Sequence, residues 1–170
     1  MHIRLATAAY APALAALAAR LFYQAYRGSH ETADLDAYVA EHFPVARVEL
    51  DLAKPTSAWF VVEDGTDLIG YAELRNREAP PEALGRTALE LGRFYVDAAW
   101  HGRGVAATLL QEVAAEARHR GAELLWLVVW SDNERAKSFY RKQGFEKVGT
   151  TPYRIGAKVY DDDLMIRTIA

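Results

Sequence analysis

The sequence predicts an α/β fold in which one sheet of about seven strands carries several amphipathic helices. Three patterns lead there. Stretches of helical period and stretches of strand character interleave along most of the chain. An Asp64-Gly65 turn signal joins two strand-like runs and makes that pair an antiparallel hairpin. A continuous apolar run, residues 124–130, follows a helical stretch, as a buried and parallel strand would. At 170 residues the chain has the length of one domain with a full core, and residues 1–170 are read as a single domain.

The elements follow in order. Residues 3–6 form a first strand. Thr7 is placed to cap a helix reaching about Tyr23, with Leu14, Leu17, Leu21 and Phe22 at helical spacing. A second helix over 32–43 turns Leu35, Tyr38, Val39 and Phe43 inward, and Pro44 ends it. Residues 45–53 are ambiguous, a short helix being one reading. Strands at 57–63 and 68–74 flank the hairpin turn, a loop holding Pro80-Pro81 covers 76–86, and a strand covers 88–96. Residues 104–120 place Ala106, Leu109, Leu110, Val113, Ala114 and Ala117 on one helix face, with Gly121 as the stop. Ser131 and Glu134 form a capping-box pattern for a helix to about Gln143, stopped by Gly144. Strands at 145–149 and 163–168 complete the sheet.

Composition removes several function classes. Hydrophobic residues at 51% and charged residues at 25% are an ordinary globular balance. A formal net charge of −3 argues against a nucleic-acid partner and is compatible with a cationic substrate. With no cysteine, the chain has no disulfide, no thiolate metal site and no cysteine nucleophile. Its five histidines show no metal-ligand spacing, so no metal is expected. No apolar run approaches the roughly 18 residues of a membrane span, and the first residues lack the apolar stretch of a signal peptide. The expectation is a cytoplasmic protein with no membrane partner.

The most informative block is Leu89-Glu90-Leu91-Gly92-Arg93-Phe94-Tyr95-Val96, followed by Trp100-His101-Gly102-Arg103-Gly104-Val105-Ala106. It reads as strand, glycine-rich turn and first helical turn, which aims unpaired backbone N–H groups and a positive helix end at one point. Such a point binds anions, phosphate above all. A ligand-free tight connection would also produce a lone glycine turn. Gly102-x-Gly104-x-x-Ala107 formally matches a dinucleotide fingerprint. That motif wants an acidic residue at the end of the next strand, whereas that strand ends Val128-Val129-Trp130 and Glu123 lies at its start. A Walker A loop is excluded because no Gly-Lys-[Ser/Thr] occurs.

The competing phosphate ligand is the pyrophosphate of coenzyme A, which a family resemblance brings in. The block His101-Gly102-Arg103-Gly104-Val105-Ala106 resembles the [Gln/Arg]-x-x-Gly-x-[Gly/Ala] motif of the GCN5-related N-acetyltransferases, the GNAT superfamily, with His101 departing from the first position. Asn133-x-x-Ala136-x-x-x-Tyr140-x-x-x-Gly144-Phe145 resembles the second motif of the same superfamily. Ala136 and Tyr140, four apart, share a helix face. The PaiA-type polyamine acetyltransferases are the nearest look-alikes, through residues 89–96, 125–130 and a tail with Gly149, Gly156 and Asp161-Asp162-Asp163-Leu164-Met165.

The resemblance implies a mixed, mostly antiparallel, twisted sheet with helices on both faces, and acetyl transfer from acetyl-CoA to a primary amine by direct attack. It places pantetheine against the backbone of Phe94, Tyr95 and Val96, and the pyrophosphate on residues 101–106, with Arg103 adding charge. It makes Tyr140 the general acid for the departing thiolate and gives Asn133 a pantetheine or water contact, capping being its alternative role. Glu90 is the candidate general base; strand alternation puts it on one face with Gly92, Phe94 and Val96. Its alternative roles are holding the substrate cation or pairing with Arg93. Asp161, Asp162, Asp163 and Glu73 favour a polyamine acceptor, and Tyr26, Tyr38, Trp59 and Tyr153 are candidate pocket aromatics, although acidic triplets are commonly solvated turns and scattered aromatics commonly core. An amino acid, an antibiotic amine or a peptide N-terminus is the rival acceptor, and a non-catalytic acyl-CoA-binding module the rival of another class. Many members of the superfamily are homodimers.

Overall fold

The computed structural model describes residues 1–155 and 158–169. Among them, seven strands and five α-helices run in the order β1 (His2–Leu5), α1 (Ala11–Tyr26), α2 (Thr32–His42), α3 (Val45–Leu52), β2 (Ser57–Asp64), β3 (Asp67–Arg75), β4 (Ala88–Val96), α4 (Val105–His119), β5 (Leu124–Val129), α5 (Glu134–Lys142), β6 (Glu146–Ile155) and β7 (Lys158–Thr168). The strand order is β1-β2-β3-β4-β5-β7-β6. β4 and β5 are parallel, while β1–β2, β5–β7 and β6–β7 are antiparallel. This is the mixed α/β sheet expected from the sequence. The chain forms two compact units, residues 1–73 with 93–112, and residues 74–92 with 113–170.

The first unit is organised by α1. Leu14, Leu17, Leu21 and Phe22 recur every three or four residues, and all are buried against Leu35, Phe43, Val48, Trp59, Val61 and Tyr71. Each such side chain contributes roughly 1.5–3 kcal/mol by burial. Thr7 does not cap α1. Its side chain makes no capping bond, because a 3-10 turn, Ala8–Tyr10, comes first and α1 opens at Ala11 with Pro12 in its first turn. Proline is at ease there, since its missing N–H has no helical partner to lose. The ambiguous segment 45–53 is helical.

In the second unit, β5 is buried along its length and pairs with β7 from Leu124↔Thr168 to Val129↔Asp163. The β6–β7 ladder extends well beyond the 145–149 and 163–168 expected. Thr150 pairs with Asp163, Thr151 with Asp162 and Pro152 with Asp161. Polar residues on both strands hide the alternation that marks a strand in sequence. Asp162 and Asp163 are buried, not solvated. Asp163 faces Lys147 at 2.6 Å and Lys137 at 3.8 Å, and Asp162 accepts the Ser131 N–H at 3.1 Å.

That last contact removes Ser131 from the cap of α5. The N-cap is Asn133, whose Oδ1 accepts the Ala136 N–H at 3.0 Å. Glu134 turns instead to Lys137, 2.5 Å away.

Side chains of β3 meet side chains of β4. The Tyr71 and Tyr95 ring centroids are 5.4 Å apart, Glu73 lies 3.5 Å from Arg93, and Arg75 lies 2.7 Å from Glu90. Gly92 is required there by space: a Cβ on it would stand 2.5 Å from Arg75 Nε.

Replacing Asn133 by alanine strips the α5 cap and is expected to cost about 1 kcal/mol. In a domain of this size that lowers Tm by about 2–4 °C in thermal unfolding. Asn133→Asp, which keeps a capping oxygen, is expected to lose much less.

Candidate active site

The turn after β4 is built to leave amides available. A 3-10 turn, Ala98–Trp100, leads into Gly102 and Gly104, whose φ values of 76° and 81° lie in the left-handed region that glycine enters without penalty. A Cβ on either would meet nothing within 4 Å, so the space in front of both is open. α4 begins at Val105, and the Thr108 N–H donates to the Gly104 carbonyl at 3.0 Å. The amides of Val105, Ala106 and Ala107 precede that first bond and have no intrahelical acceptor. A turn of this build can receive a phosphate on main-chain N–H groups at the positive end of a helix.

Five contacts hold the turn. The Asp97 carboxylate accepts the Ala99 N–H at 3.0 Å and pairs with Arg20 of α1. Gln24 Oε1, one turn further along α1, accepts the Ala98 N–H at 3.0 Å. The His101 Nε2–H donates to the Val96 carbonyl at 2.8 Å, because a carbonyl can only accept. The Asp97 N–H donates to the Ile69 carbonyl of β3 at 2.8 Å. Arg103 stands 5.2 Å from the centre of the Trp100 ring.

Glu90 is 4% exposed and is not left as a lone buried charge. Arg75 meets it with two parallel bonds, Nε to Oε2 at 2.7 Å and Nη2 to Oε1 at 3.0 Å, and Arg77 lies 3.9 Å away. The pair is bidentate, the strong geometry for guanidinium and carboxylate. Arg93, the partner considered from sequence, instead stands 3.5 Å from Glu73. Arg75 escaped sequence reading. The available signal was a charged pair, Glu73 and Arg75, at alternating positions of an otherwise buried strand.

The parallel ladder between β4 and β5 holds the pairs Ala88↔Leu124, Leu89↔Leu125 and Glu90↔Trp126. β4 itself continues to Val96.

Tyr26, Tyr38 and Trp59 gather with Phe22, Phe43, Tyr71 and Tyr95 in the core of the first unit. Phe22 stacks on Tyr38 with centroids 4.3 Å apart, and Trp59 on Tyr71 with centroids 6.1 Å apart. Arg93 enters this cluster, its guanidinium carbon 5.1 Å from the Phe43 ring centre and 5.2 Å from that of Trp59. Burial pushes the Tyr71 and Tyr95 phenols well above the ordinary tyrosine range. Among the described residues, the Trp59 Nε1–H, the Tyr71 hydroxyl and Arg93 Nη1 are buried without a hydrogen-bond partner. A buried polar group left so costs about 1–3 kcal/mol.

α5 carries Asn133, Ala136 and Tyr140. The Tyr140 ring is buried and meets Phe139 and Phe145 edge-on, at 5.4 and 5.5 Å between centroids. Its carbonyl accepts the N–H groups of Gln143 and Phe145, both at 3.0 Å, closing the helix end at Gly144. The first unit thus brings together Phe94, Tyr95, Val96, His101, Gly102, Arg103, Gly104, Val105 and Ala106; the second carries Glu90, Asn133, Ala136 and Tyr140. The Tyr153 side chain and Gly156 lie outside the described residues. Among the described residues no group of three or more His, Asp or Glu could hold a metal, and no helix is long and apolar enough to cross a membrane.

Residues 17–145 match the model of the acetyltransferase (GNAT) family. The chain belongs to that family. As a GNAT protein it is an acetyl-CoA-dependent N-acetyltransferase. It is 33% identical over 156 residues to an uncharacterized N-acetyltransferase of Mycobacterium tuberculosis, covering 92% of this chain and 96% of that one. It is 34% identical over 124 residues to the N-alpha-acetyltransferase RimI of the same organism, covering 69% of this chain and 72% of RimI. In fold it is similar to the PaiA N-acetyltransferase of Thermoplasma acidophilum, crystallised in complex with coenzyme A, with a TM-score of 0.82 at 20% identity over 99% of both chains.

Asp97 ties this GNAT chain's turn to α1, and its hydrogen bond from Arg20 holds its carboxyl below the usual carboxylate range. A depressed carboxyl stabilises the fold above its unfolded value of about 4, and that stability is lost as pH falls through the lower folded value. Because Arg20 is half exposed, Asp97→Asn is expected to cost only about 1 kcal/mol at pH 7. Urea unfolding of both proteins should show the difference shrinking steadily below pH 4.

Proposed function

We propose that residues 1–170 act as one cytoplasmic enzyme domain that acetylates a small primary amine by direct attack on acetyl-CoA. The observation that carries this reading is the open, clamped glycine turn at 101–106, in a chain of the acetyltransferase family. Acetyl-CoA supplies an activated acetyl group with a thiolate leaving group. The main-chain amides of Gly102, Arg103, Gly104, Val105 and Ala106 hold its pyrophosphate, and Arg103 adds positive charge. His101 in place of Gln or Arg costs little, since backbone does the holding and the imidazole serves the turn through the Val96 carbonyl. Phe94, Tyr95 and Val96 pair their backbone with pantetheine, and an N–H there polarises the thioester carbonyl. The end of the β4–β5 pairs at Glu90 supports that use of the strand.

Tyr140 donates its phenol proton to the departing thiolate. Asn133 uses Oδ1 for the α5 cap, which leaves its amide N–H groups to donate to pantetheine or to a water. Ala136 keeps the same helix face low. Glu90 takes the proton of the incoming ammonium. Both its oxygens already receive N–H bonds from Arg75, so the remaining lone pairs act on the amine directly or through one ordered water. A polyamine is the acceptor that the sequence favours. Internal pairing of Asp162 and Asp163 takes away two of the acidic groups behind that preference. The enzyme works as a monomer or homodimer.

The test is amine-dependent release of coenzyme A thiol across polyamines, amino acids, aminoglycosides and short peptides. The protein has no cysteine and adds no thiol background. Release that needs both acetyl-CoA and an amine is expected; tight acetyl-CoA binding without any release would leave only a binding module. Tyr140→Phe is expected to lower kcat by about 100-fold or more while calorimetry shows unchanged acetyl-CoA affinity. Unchanged kcat would remove the phenol from the chemistry. Gly104→Val, which fills the open space with a side chain at positive φ, should raise KM for acetyl-CoA about 10–100-fold, the worth of one or two charge-assisted hydrogen bonds.

A further inference from the structure

We infer that Trp59, Tyr71 and Arg93 form a subsite for a carboxylate, so that the acceptor amine is one that also carries an acid group, as an amino acid does. The inference deepens the acetyltransferase reading and rests on it for the identity of the ligand as an acceptor. Three observations lead to it.

The first is chemical. The indole N–H of Trp59, the hydroxyl of Tyr71 and Nη1 of Arg93 are all donors, and among the described residues none has a partner. Trp59 is 2% exposed and Tyr71 0%. Packing alone does not ask for these groups. Phenylalanine would fill the Tyr71 ring position without an orphan hydroxyl, and an aliphatic or phenyl group would fill much of the Trp59 site without an orphan N–H.

The second is spatial. The three groups belong to one cluster, with Arg93 5.2 Å from the Trp59 ring centre and Trp59 stacked on Tyr71 at 6.1 Å. Burial keeps the Tyr71 phenol protonated, and therefore a donor, across the physiological range.

The third is charge. Glu73 lies 3.5 Å from Nε of Arg93 and offsets its charge, so the fold tolerates the guanidinium deep in an aromatic core. The guanidinium edge at Nη1 remains for an incoming acceptor. A cationic N–H beside two neutral donors matches the oxygens of a carboxylate. A protonated polyamine brings only N–H donors, which cannot satisfy the donors of these three groups.

The experiment compares matched pairs that differ by the carboxylate: lysine with 1,5-diaminopentane, ornithine with 1,4-diaminobutane, and phenylalanine with phenethylamine and with phenylalanine methyl ester. Coenzyme A release gives kcat/KM for each. Calorimetry on the protein saturated with coenzyme A gives binding without turnover. The acid member of at least one pair is expected to win by tenfold or more, and Tyr71→Phe should erase most of that advantage. The same variant should leave KM for acetyl-CoA unchanged and should not lower Tm, since it only removes an unpaired hydroxyl. Trp59→Phe serves as the second variant.

Equal turnover of acid and decarboxylated partners would overturn the subsite and leave the acetyltransferase reading standing. So would an ester as good as its acid, which would mean that a neutral carbonyl suffices. Tyr71→Phe with undiminished acid preference would reduce the orphan donors to water-binding groups and overturn the inference. No turnover with any amine, but acid binding that Tyr71→Phe weakens, would support the subsite and overturn the catalytic reading. No turnover and no binding would overturn both.

Discussion

A turn built on two glycines at positive φ keeps one path only if its surroundings hold it, and that constraint governs the segment between β4 and α4. Two glycines at positive φ give the chain the sharp path it needs, and flexibility comes with them. The cost is offset on the α1 side, where Arg20 and Gln24, four residues apart and so on one helix face, reach Asp97 and the Ala98 amide. His101 closes the loop from within by returning to the Val96 carbonyl. α1 is fixed in turn by the aromatic and aliphatic core beneath it. The turn is therefore tied to the core of its unit, although Gly102, Arg103 and Gly104 are exposed.

Much of this was legible in the chain. Local rules govern hairpins, amphipathic helices and glycine turns, and those elements lie where periodicity puts them. The strand at 57–63, the turn at Asp64-Gly65 and the helix after Gly104 are examples. Thr7 loses its cap to the 3-10 turn that directly follows it; the other errors share one origin, competition from partners far away in sequence. Ser131 has the residue type of a cap, but Asp162 takes its N–H and Asn133 caps instead. Asp161 to Asp163 look like a solvated turn, but Lys137 and Lys147 make Asp163 bearable in a strand. Among the site residues, the glycine turn could be read directly, while the partner of Glu90 could not, since fifteen residues and a loop separate Arg75 from it.

The two ion pairs on β3 illustrate what such burial demands. Glu73–Arg93 and Arg75–Glu90 put charges where the strand is otherwise apolar. Removing water from charged groups costs several kcal/mol per ion before the pair recovers it. Hydrophobic residues of similar volume would do as well or better for stability alone. The two pairs therefore add little to folding for the burial they require.

The two border strands of the sheet bear on how this molecule meets its own kind. β1 is only four residues long and carries His2 and Arg4. β6 holds Pro152, which has no N–H to give, carries Lys147, and shifts register between Lys147 and Gly149. Short length, a basic side chain, proline and a bulge each blunt a strand against addition of another. At high concentration, as during expression or crystallisation, the protein is thus guarded against growing by edge-to-edge β pairing.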